Sequence, residues 1–418
     1  MALDPIRHVL ANGVVVIAQH NPATPAVSMA AAVGAGGYDD AEGREGTAAL
    51  VARVLDRGTE TRTADAIADD LDGRGASLSV SAGRHHVTVA ATCLAEDAAP
   101  VLAVVTDVLR APVFPDTDVV SRKAELITSI RQEEDDPASV AVDRLMRELY
   151  AGHPYARRVR GTVETIESLQ QADLVRFHRA RFDPARLTLV VVGSLPAEQM
   201  VALAAASLEG WRPAGGAPAA HVPDGPGAAA RREIRASMPG KAQADVAYGF
   251  VGVRRSDPRF LAAWVMNNAL GQYALGGRLG DSIRERQGMA YYVYSSLDAG
   301  VGPGPFMVRA GVAAANVTRT IASIDSEIGA VIGDGFSEQE IADSVRYLVG
   351  AMPRQLETNA RMASFLLDAE IHGLGLDYDR RLPDLLRAVT RDAAVEAARR
   401  LLDPARATIV VAGPDADA

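Results

Sequence analysis

The stretch FDPARLTLVVVG at residues 182–193 returns near the end of the chain as LDPARATIVVAG at residues 402–413. Each copy is a proline-containing turn followed by a run of aliphatic and β-branched residues that ends in glycine. That pattern is typical of a turn leading into a buried strand. The two copies lie 220 residues apart. The repetition predicts that one structural unit is duplicated and that each copy closes with this strand.

The remaining sequence fits two such halves separated by a linker. Residues 212–230 are rich in proline, glycine and alanine, a composition that favours an extended segment over packed structure. We therefore assign residues 1–211 to an N-terminal half and residues 231–418 to a C-terminal half. In each half strands come first, helices follow and a strand closes, which predicts an α+β fold. Two halves on a flexible linker would form a clamshell, and a substrate would lie between the halves or between this chain and a partner.

Hydrophobic periodicity locates the elements of each half. In the first half it predicts strands at 13–18 and 28–34, helices at 46–56 and 63–73, a hairpin over 76–94, and mainly helix over 98–177. In the second half it predicts a strand at 245–252, helices at 259–270 and 279–286, and a hairpin from residue 291.

Composition narrows the class of protein. The chain has 418 residues, is 48% hydrophobic and 23% charged, and carries a net charge of -10 with dispersed basic residues, which argues against a nucleic-acid partner. Its one cysteine, Cys93, cannot form an internal disulfide. There is no signal-peptide pattern and no apolar run of ~18 residues, so we expect a cytoplasmic protein without a membrane span. Lysine occurs only at 123 and 241 while arginine is abundant, a skew typical of GC-rich bacterial genomes.

The stretch GTAALVARVLDRGT at residues 46–59 resembles the zinc helix of the pitrilysin and mitochondrial processing peptidase family. That family's helix reads Gly-x-x-His-x-x-Glu-His and is followed by Gly-Thr. Two histidines four residues apart share a helical face and hold zinc, and the glutamate between them polarises the attacking water. A further glutamate from a later helix completes the site. The resemblance implies a duplicated mixed α/β sandwich fold.

The four functional positions of this motif are all replaced. Ala49 and Arg53 stand at the histidine positions, Ala52 at the glutamate position, and Ser129 at the position of the distal glutamate. Alanine has no lone pair to offer, and arginine does not deprotonate to become a ligand. The resemblance therefore implies a subunit with no metal or cofactor of its own, and zinc is expected only in a partner.

Other segments extend the resemblance along the chain. These are GHPY at 152–155, GTVETI at 161–166, LGGRL at 275–279 and RERQGMAY at 284–291. In the family, an arginine and a tyrosine at the positions of Arg284 and Tyr291 reach the scissile region of the substrate. Both side chains donate hydrogen bonds, which suits a carbonyl oxygen that gains charge during attack. The first half aligns Leu71 and Leu78 with them, so the polar pair belongs to one copy only. The alternative is a solvated Arg284 and a Tyr291 packed by its ring.

These observations favour a non-catalytic subunit of a heterodimeric or larger zinc endopeptidase. Its partner would be a homologous zinc-bearing subunit, and its substrates extended peptides such as leader or targeting segments. One alternative is an inert structural or peptide-binding homologue resembling respiratory-complex core proteins. Another is a stand-alone hydrolase with a different metal site. No ligand cluster supports the latter, since His85 and His86 fall in a predicted strand and would point to opposite faces.

Overall fold

The computed structural model describes residues 3–213, 215, 222–272 and 277–414. Part of the predicted linker, and Leu275 and Gly276 of the second-half signature, lie outside these residues. The strands are β1 (Ile6–Val9), β2 (Val15–His20), β3 (Ala26–Val33), β4 (Ser77–Ala82), β5 (Val87–Leu94), β6 (Leu187–Gly193), β7 (Arg232–Ser237), β8 (Ala244–Val251), β9 (Ala290–Leu297), β10 (Pro305–Val312) and β11 (Thr408–Gly413).

Helices precede and follow the strands along the chain, and two segments, Asn268–Gln272 and Gly280–Arg286, are π-helical. The α-helices are α1 (Thr47–Val54), α2 (Ala64–Asp72), α3 (Ala98–Arg110), α4 (Asp116–Glu134), α5 (Pro137–Leu149), α6 (Val163–Ser168), α7 (Gln171–Arg181), α8 (Ala197–Ser207), α9 (Phe260–Asn267), α10 (Val317–Gly333), α11 (Glu338–Gln355), α12 (Asn359–Ile371), α13 (Tyr378–Arg387) and α14 (Arg391–Leu401).

The first compact unit is built on a six-stranded sheet in the order β1-β2-β6-β3-β5-β4. Strands β2 and β6 run parallel and the other neighbours are antiparallel. Side chains alternate across the sheet, as strand geometry requires. One face, including Val16 and Ala18, forms a core with α1, α3, α4, α7 and α8. The other face, including Ile17, packs against α12. The sheet therefore lies between two helical layers.

The second compact unit repeats this plan on a five-stranded sheet in the order β7-β11-β8-β10-β9. Its parallel pair is β7 and β11, the counterpart of β2 and β6. Helix α5 packs on one face of this sheet, where Ala141 and Leu145 meet residues of β8, β10 and β11. The two Asp-Pro-Ala-Arg turns lead into β6 and β11, and in each the aspartate carboxylate accepts a hydrogen bond from the alanine N–H two residues on. The predicted α+β fold with an internal duplication is confirmed.

The compact units do not follow the sequence halves throughout. Residues 132–157, which contain α5, belong to the second unit, and residues 352–380, which contain α12, belong to the first. The two helices occupy equivalent positions in the repeat. Each half thus contributes one helix to the unit built on the other half's sheet.

Local sequence explains which element boundaries were predicted well. The hydroxyl of Thr63 accepts a hydrogen bond from the Ala66 N–H at 3.1 Å and caps α2, where the pattern placed a helix start. Strands β1 and β7 were missed because they are polar and largely exposed edge strands without a clear apolar alternation. His85 and His86 were wrongly placed in a strand. They lie in the turn between β4 and β5, closed by a 2.8 Å hydrogen bond from the Gly83 N–H to the His86 carbonyl.

Candidate functional site

Helix α1 is fixed at its start by a buried carboxylate. Asp40 is 4% exposed, and its two oxygens accept hydrogen bonds from the N–H groups of Gly46, at 2.8 Å, and Ala48, at 2.9 Å. These donors have no partner inside the helix, and a negative charge at a helix N-terminus is favourable. Gly46 adopts φ +92, which suits glycine. The first turn of α1 is therefore held in place without help from a metal.

The body of α1 is core. Leu50, Val54 and the adjoining Leu55 are fully buried, and Ala49 and Ala52 are 8% and 3% exposed. Arg53 is the one residue of this helix that is not buried. It forms no hydrogen bond or ion pair with any residue in the described part of the chain. The accessible polar group of this helix is therefore a guanidinium.

The side chain of Ser129 on α4 contacts an arginine, Arg160, that the sequence did not identify as a site residue. Nη1 of Arg160 donates a hydrogen bond to Oγ of Ser129 at 3.1 Å. The loop that carries Arg160 packs closely against the segment that precedes α1. A Cβ built on Gly161 would lie only 2.2 Å from the Glu45 carbonyl oxygen, so this position has no room for a side chain. The run of arginines at 157, 158 and 160 was the available signal.

This arrangement does not fit zinc. Ala49 and Ala52 present methyl groups, Arg53 presents a cation, and the one hydroxyl, that of Ser129, accepts a hydrogen bond from another cation. Zinc sites in proteins use thiolate, imidazole and carboxylate ligands. Across the described ranges, no three histidine, cysteine, aspartate or glutamate side chains lie together in a group that could hold a metal ion.

Three of the histidines in the described ranges are largely buried. Burial is the main cause that lowers the pKa of His85, His86 and His178, each to about 4. His178 is 8% exposed, one of its ring nitrogens lies 2.9 Å from the Leu109 carbonyl oxygen, and its ring packs 4.4 Å from that of Phe182. These three side chains are therefore neutral at pH 7. Only His85 and His86 are neighbours, and two imidazoles alone do not complete a zinc site.

The second unit carries the predicted Arg284 near the end of a π-helical segment. Its side chain is 42% exposed, and its nearest carboxylate oxygen, from Glu285, is 3.8 Å away. Gly288 follows with φ +61, and its N–H donates to the Arg284 carbonyl at 3.1 Å. This glycine follows the end of the helix, and the chain enters β9 at Ala290. The guanidinium is thus exposed and only loosely paired.

Tyr291 lies in a β-bulge on an edge strand. In the pairing of β9 with β10, Ala290 faces Val312 and Tyr292 faces Gly311, so Tyr291 is the extra residue. Its side chain is 65% exposed and makes no hydrogen bond to a described residue. The neighbouring Tyr292, by contrast, donates its hydroxyl hydrogen to Asp245. Bulges redirect side chains and are frequent beside active sites. The predicted packing of Tyr291 by its ring, given as the alternative, does not occur in this unit.

In each sheet the last strand of the order given above pairs on one side only, within the described ranges. Strand β4, against which α1 packs, pairs with β5 alone, and β9 pairs with β10 alone. Unpaired strand edges accept extended peptides as an additional strand. One such edge strand, β4, lies next to α1, and the other, β9, carries Tyr291. No helix in the described ranges is long and apolar enough to cross a membrane.

Comparison with known proteins agrees with these features. Residues 15–163 match the model of insulinase (peptidase family M16), and residues 168–348 match that of the peptidase M16 inactive domain. An uncharacterized zinc protease of Mycobacterium leprae is 29% identical over 376 residues, which are 88% of this chain and 82% of that protein. A probable mitochondrial-processing peptidase subunit beta of Schizosaccharomyces pombe is 26% identical over 270 residues, which are 63% and 58% of the two chains.

The crystal structure of a peptidase M16 inactive domain from Pseudomonas fluorescens superimposes with a TM-score of 0.90 at 25% identity. The match covers 99% of this chain and 98% of that one. The similarity thus extends over both units and includes the region of α1 as well as that of Arg284 and Tyr291.

Proposed function

Because the chain belongs to the peptidase M16 family, we propose that it is the zinc-less subunit of a heterodimeric zinc endopeptidase. Its partner would be a homologous subunit with an intact zinc helix, and the complex would cleave extended peptides such as leader or targeting segments. The observation that carries this proposal is a contrast within one chain. In the first unit, Ala49, Ala52, Arg53 and Ser129 stand where the resemblance to the family predicts the zinc-site residues. In the second unit, Arg284 and Tyr291 are exposed.

The loss of the zinc positions is a change of charge as well as of ligands. Arg53 is unpaired within the described part of the chain and Arg160 covers Ser129, so cationic groups stand where a dication would need anions. Such an arrangement repels zinc and attracts carboxylates. It suits a wall of a peptide-binding chamber, and it does not suit hydrolysis at this position.

The exposure of Arg284 and Tyr291 supports a role outside this chain's own core. A large aromatic side chain that is 65% exposed gives little to stability, and Tyr291 has no internal hydrogen-bond partner among the described residues. Tyr291 lies in the bulge, whereas the hydroxyl of the neighbouring Tyr292 donates a hydrogen bond to Asp245. We assign both donors to the partner's substrate, where they would stabilise the oxyanion that forms during attack.

The alternative is an inert homologue that keeps the fold for a structural or peptide-binding role, as respiratory-complex core proteins do. It predicts that Arg284 and Tyr291 are dispensable for any cleavage. A stand-alone hydrolase with a different metal site has no support from a ligand cluster in the described residues.

The test is the turnover of a complex reconstituted from this chain and a zinc-bearing homologue of the same organism, with an unstructured peptide as substrate. Tyr291→Phe removes one hydroxyl and keeps the ring. Losing one donor to an oxyanion costs ~3 kcal/mol, or about a hundredfold in rate, so we expect turnover to fall at least ~tenfold. Arg284→Ala should lower turnover similarly and weaken peptide binding as well.

Matched controls come from the same elements. Tyr294→Phe makes the same chemical change on β9, where the hydroxyl accepts a 3.1 Å hydrogen bond from Arg309. Arg286→Ala removes a guanidinium that pairs with Asp281 at 3.1 Å. Both controls should leave turnover within about twofold, with assembly checked by size-exclusion chromatography. If Tyr291→Phe and Arg284→Ala behave like these controls, the pair does not act on substrate and the inert alternative is favoured.

A further inference from the structure

Two consecutive tyrosines meet one glycine where β9 begins. Tyr292 pairs with Gly311 on β10, and Ala290 pairs with Val312, so Tyr291 is the extra residue between the two pairs. Moving the bulge by one position would place Tyr291 opposite Gly311 and would leave Tyr292 as the extra residue. Every other pair of the two strands would stay the same. The register therefore allows either tyrosine to occupy the position opposite Gly311.

The position opposite Gly311 extends to a carboxylate on the next strand. Gly311 pairs with Asp245 on β8, and directly paired residues of an antiparallel sheet carry their side chains on one face. A Cβ built on Gly311 would lie 2.5 Å from Cε1 of Tyr292, so the ring of Tyr292 packs against the backbone of β10. Its hydroxyl reaches across the glycine and donates a hydrogen bond to Asp245. The space over Gly311 holds one aromatic ring.

The hydrogen bond from Tyr292 to Asp245 involves a buried acid. Asp245 is 7% exposed, and burial raises the pKa of its carboxyl, an effect that the Tyr292 hydroxyl and the charge of Arg309 oppose. Burial and the carboxylate raise the pKa of Tyr292, so its hydroxyl stays protonated and donates. A hydrogen bond to a charged group is stronger than one between neutral groups, and a buried acceptor that loses its donor is costly. Whichever tyrosine lies opposite Gly311 gains this bond.

Tyr292 makes this bond, and Tyr291 is left outside with a side chain that is 65% exposed. We propose that the hydrogen bond from Tyr292 to Asp245 positions Tyr291, because it fixes the bulge one residue before Tyr292 and keeps the Tyr291 hydroxyl free. Tyr292 and Asp245 are thus positioning residues. The action of the free hydroxyl on a substrate rests on the proposed function, whereas the placement of the bulge does not.

Tyr292→Phe tests the placement without any measurement of activity. The variant keeps a ring over Gly311 but removes the donor, so Asp245 gains a tyrosine hydrogen bond only when Tyr291 takes that position. The ratio of the two arrangements should therefore shift at least ~tenfold toward Tyr291 opposite Gly311. The 10 tyrosines are labelled as meta-fluorotyrosine, and the fluorine NMR signal of Tyr291 is identified by its loss in Tyr291→Phe. We expect Tyr292→Phe to give Tyr291 a second signal that a soluble gadolinium chelate broadens less.

Two further variants separate this role from a general loss of stability, with folding verified by circular dichroism. Tyr294→Phe removes a hydroxyl from the same strand, where it accepts a 3.1 Å hydrogen bond from Arg309, and it should leave the Tyr291 signal unchanged. Adding Asp245→Val to Tyr292→Phe removes the acceptor that draws Tyr291 inward, so the exposed signal should return. A second substitution would not restore a sheet that was only destabilised. A Tyr291 signal that stays as in the wild-type chain when Tyr292→Phe is introduced would overturn the inference.

The consequence for cleavage is measured in the reconstituted complex. Tyr292→Phe should lower kcat at least ~threefold and leave KM within about twofold, because it withdraws a group that acts in the transition state. In a chain that already carries Tyr291→Phe, Tyr292→Phe should cost no further turnover, because no hydroxyl is left to position. An equal loss in both backgrounds would assign Tyr292 to the stability of the sheet and contradict the inference. If Tyr292→Phe changes the Tyr291 signal but Tyr291→Phe leaves turnover unchanged, the placement of the bulge stands and the proposed function fails.

Discussion

Rebuilding the zinc ligands should succeed only if Arg53 is removed. The starting variant combines Ala49→His, Ser129→Glu and Arg160→Ala. The last change is needed because Arg160 donates to Ser129 at 3.1 Å and would pair with the new carboxylate. On this background, position 53 is kept as arginine, changed to alanine, or changed to histidine. The three proteins carry two, two and three zinc ligands respectively, and the first two differ only in the guanidinium.

The magnitude follows from Coulomb's law. A single positive charge ~4 Å from a dication costs about 8 kcal/mol at an effective dielectric of 20, and about 4 kcal/mol if the side chain swings to ~8 Å. Arg53 is the one unburied residue of α1 and has no anionic partner in the described ranges that would hold it away. Even the smaller cost corresponds to about a thousandfold in affinity. The chain that keeps Arg53 should therefore bind zinc at least ~1,000-fold more weakly than the Arg53→Ala chain.

Zinc affinity is measured by competition with a chelator of known affinity, on protein freed of metal by dialysis. Circular dichroism verifies that all three variants fold. We expect the Arg53→His chain to bind most tightly and the Arg53→Ala chain to bind weakly. The chain that keeps Arg53 should bind no stoichiometric metal. If it binds zinc as tightly as the Arg53→Ala chain, the guanidinium does not govern this position and our electrostatic reading of α1 is wrong.

Two further predictions concern the stability of the first unit. Asp40→Ala leaves the N–H groups of Gly46 and Ala48 buried and unpaired. The free energy of unfolding, measured by denaturant titration, should therefore fall by about 3 kcal/mol, and a loss under ~1 kcal/mol would contradict this. His178 keeps a pKa of about 4 when folded, against ~6.5 unfolded, so only the unfolded chain gains a proton between these values. Stability due to His178 is complete above pH ~6.5 and should fall by up to about 3 kcal/mol as the pH drops to ~4, a loss that His178→Phe should reduce.

The sequence predicted the duplication and the buried helix α1 because both depend on local patterns. The Asp-Pro-Ala-Arg turns and the strands after them are written almost identically twice. In α1, Leu50 and Val54 are four residues apart and share one face, and both are fully buried. Such features need no knowledge of long-range contacts.

The exchange of helices could not be predicted in this way. The amphipathic pattern of α5 indicates that Ala141 and Leu145 are buried, but it does not say against which sheet. The same holds for α12, whose apolar face packs on β3 and β6 of the first unit. A hydrophobic stripe specifies burial, and the partner surface depends on the whole chain.

The polar features that were missed depend on single contacts. The bond from Arg160 to Ser129 joins residues 31 positions apart, and the run of arginines around Arg160 indicates a local positive charge without indicating its partner. Tyr291 was predicted as a strand residue, but its bulge depends on the register with Gly311 and Val312.

The most direct test of a zinc-less subunit is peptide cleavage by the highly purified chain alone, by the zinc-bearing homologue alone, and by their mixture. Each is assayed with and without a chelator, and the zinc content of each protein is determined by metal analysis. We predict no zinc and no cleavage for this chain alone. The mixture should cleave faster than the homologue alone, and the chelator should abolish cleavage. One equivalent of zinc in this chain together with chelator-sensitive cleavage by it alone would contradict the assignment.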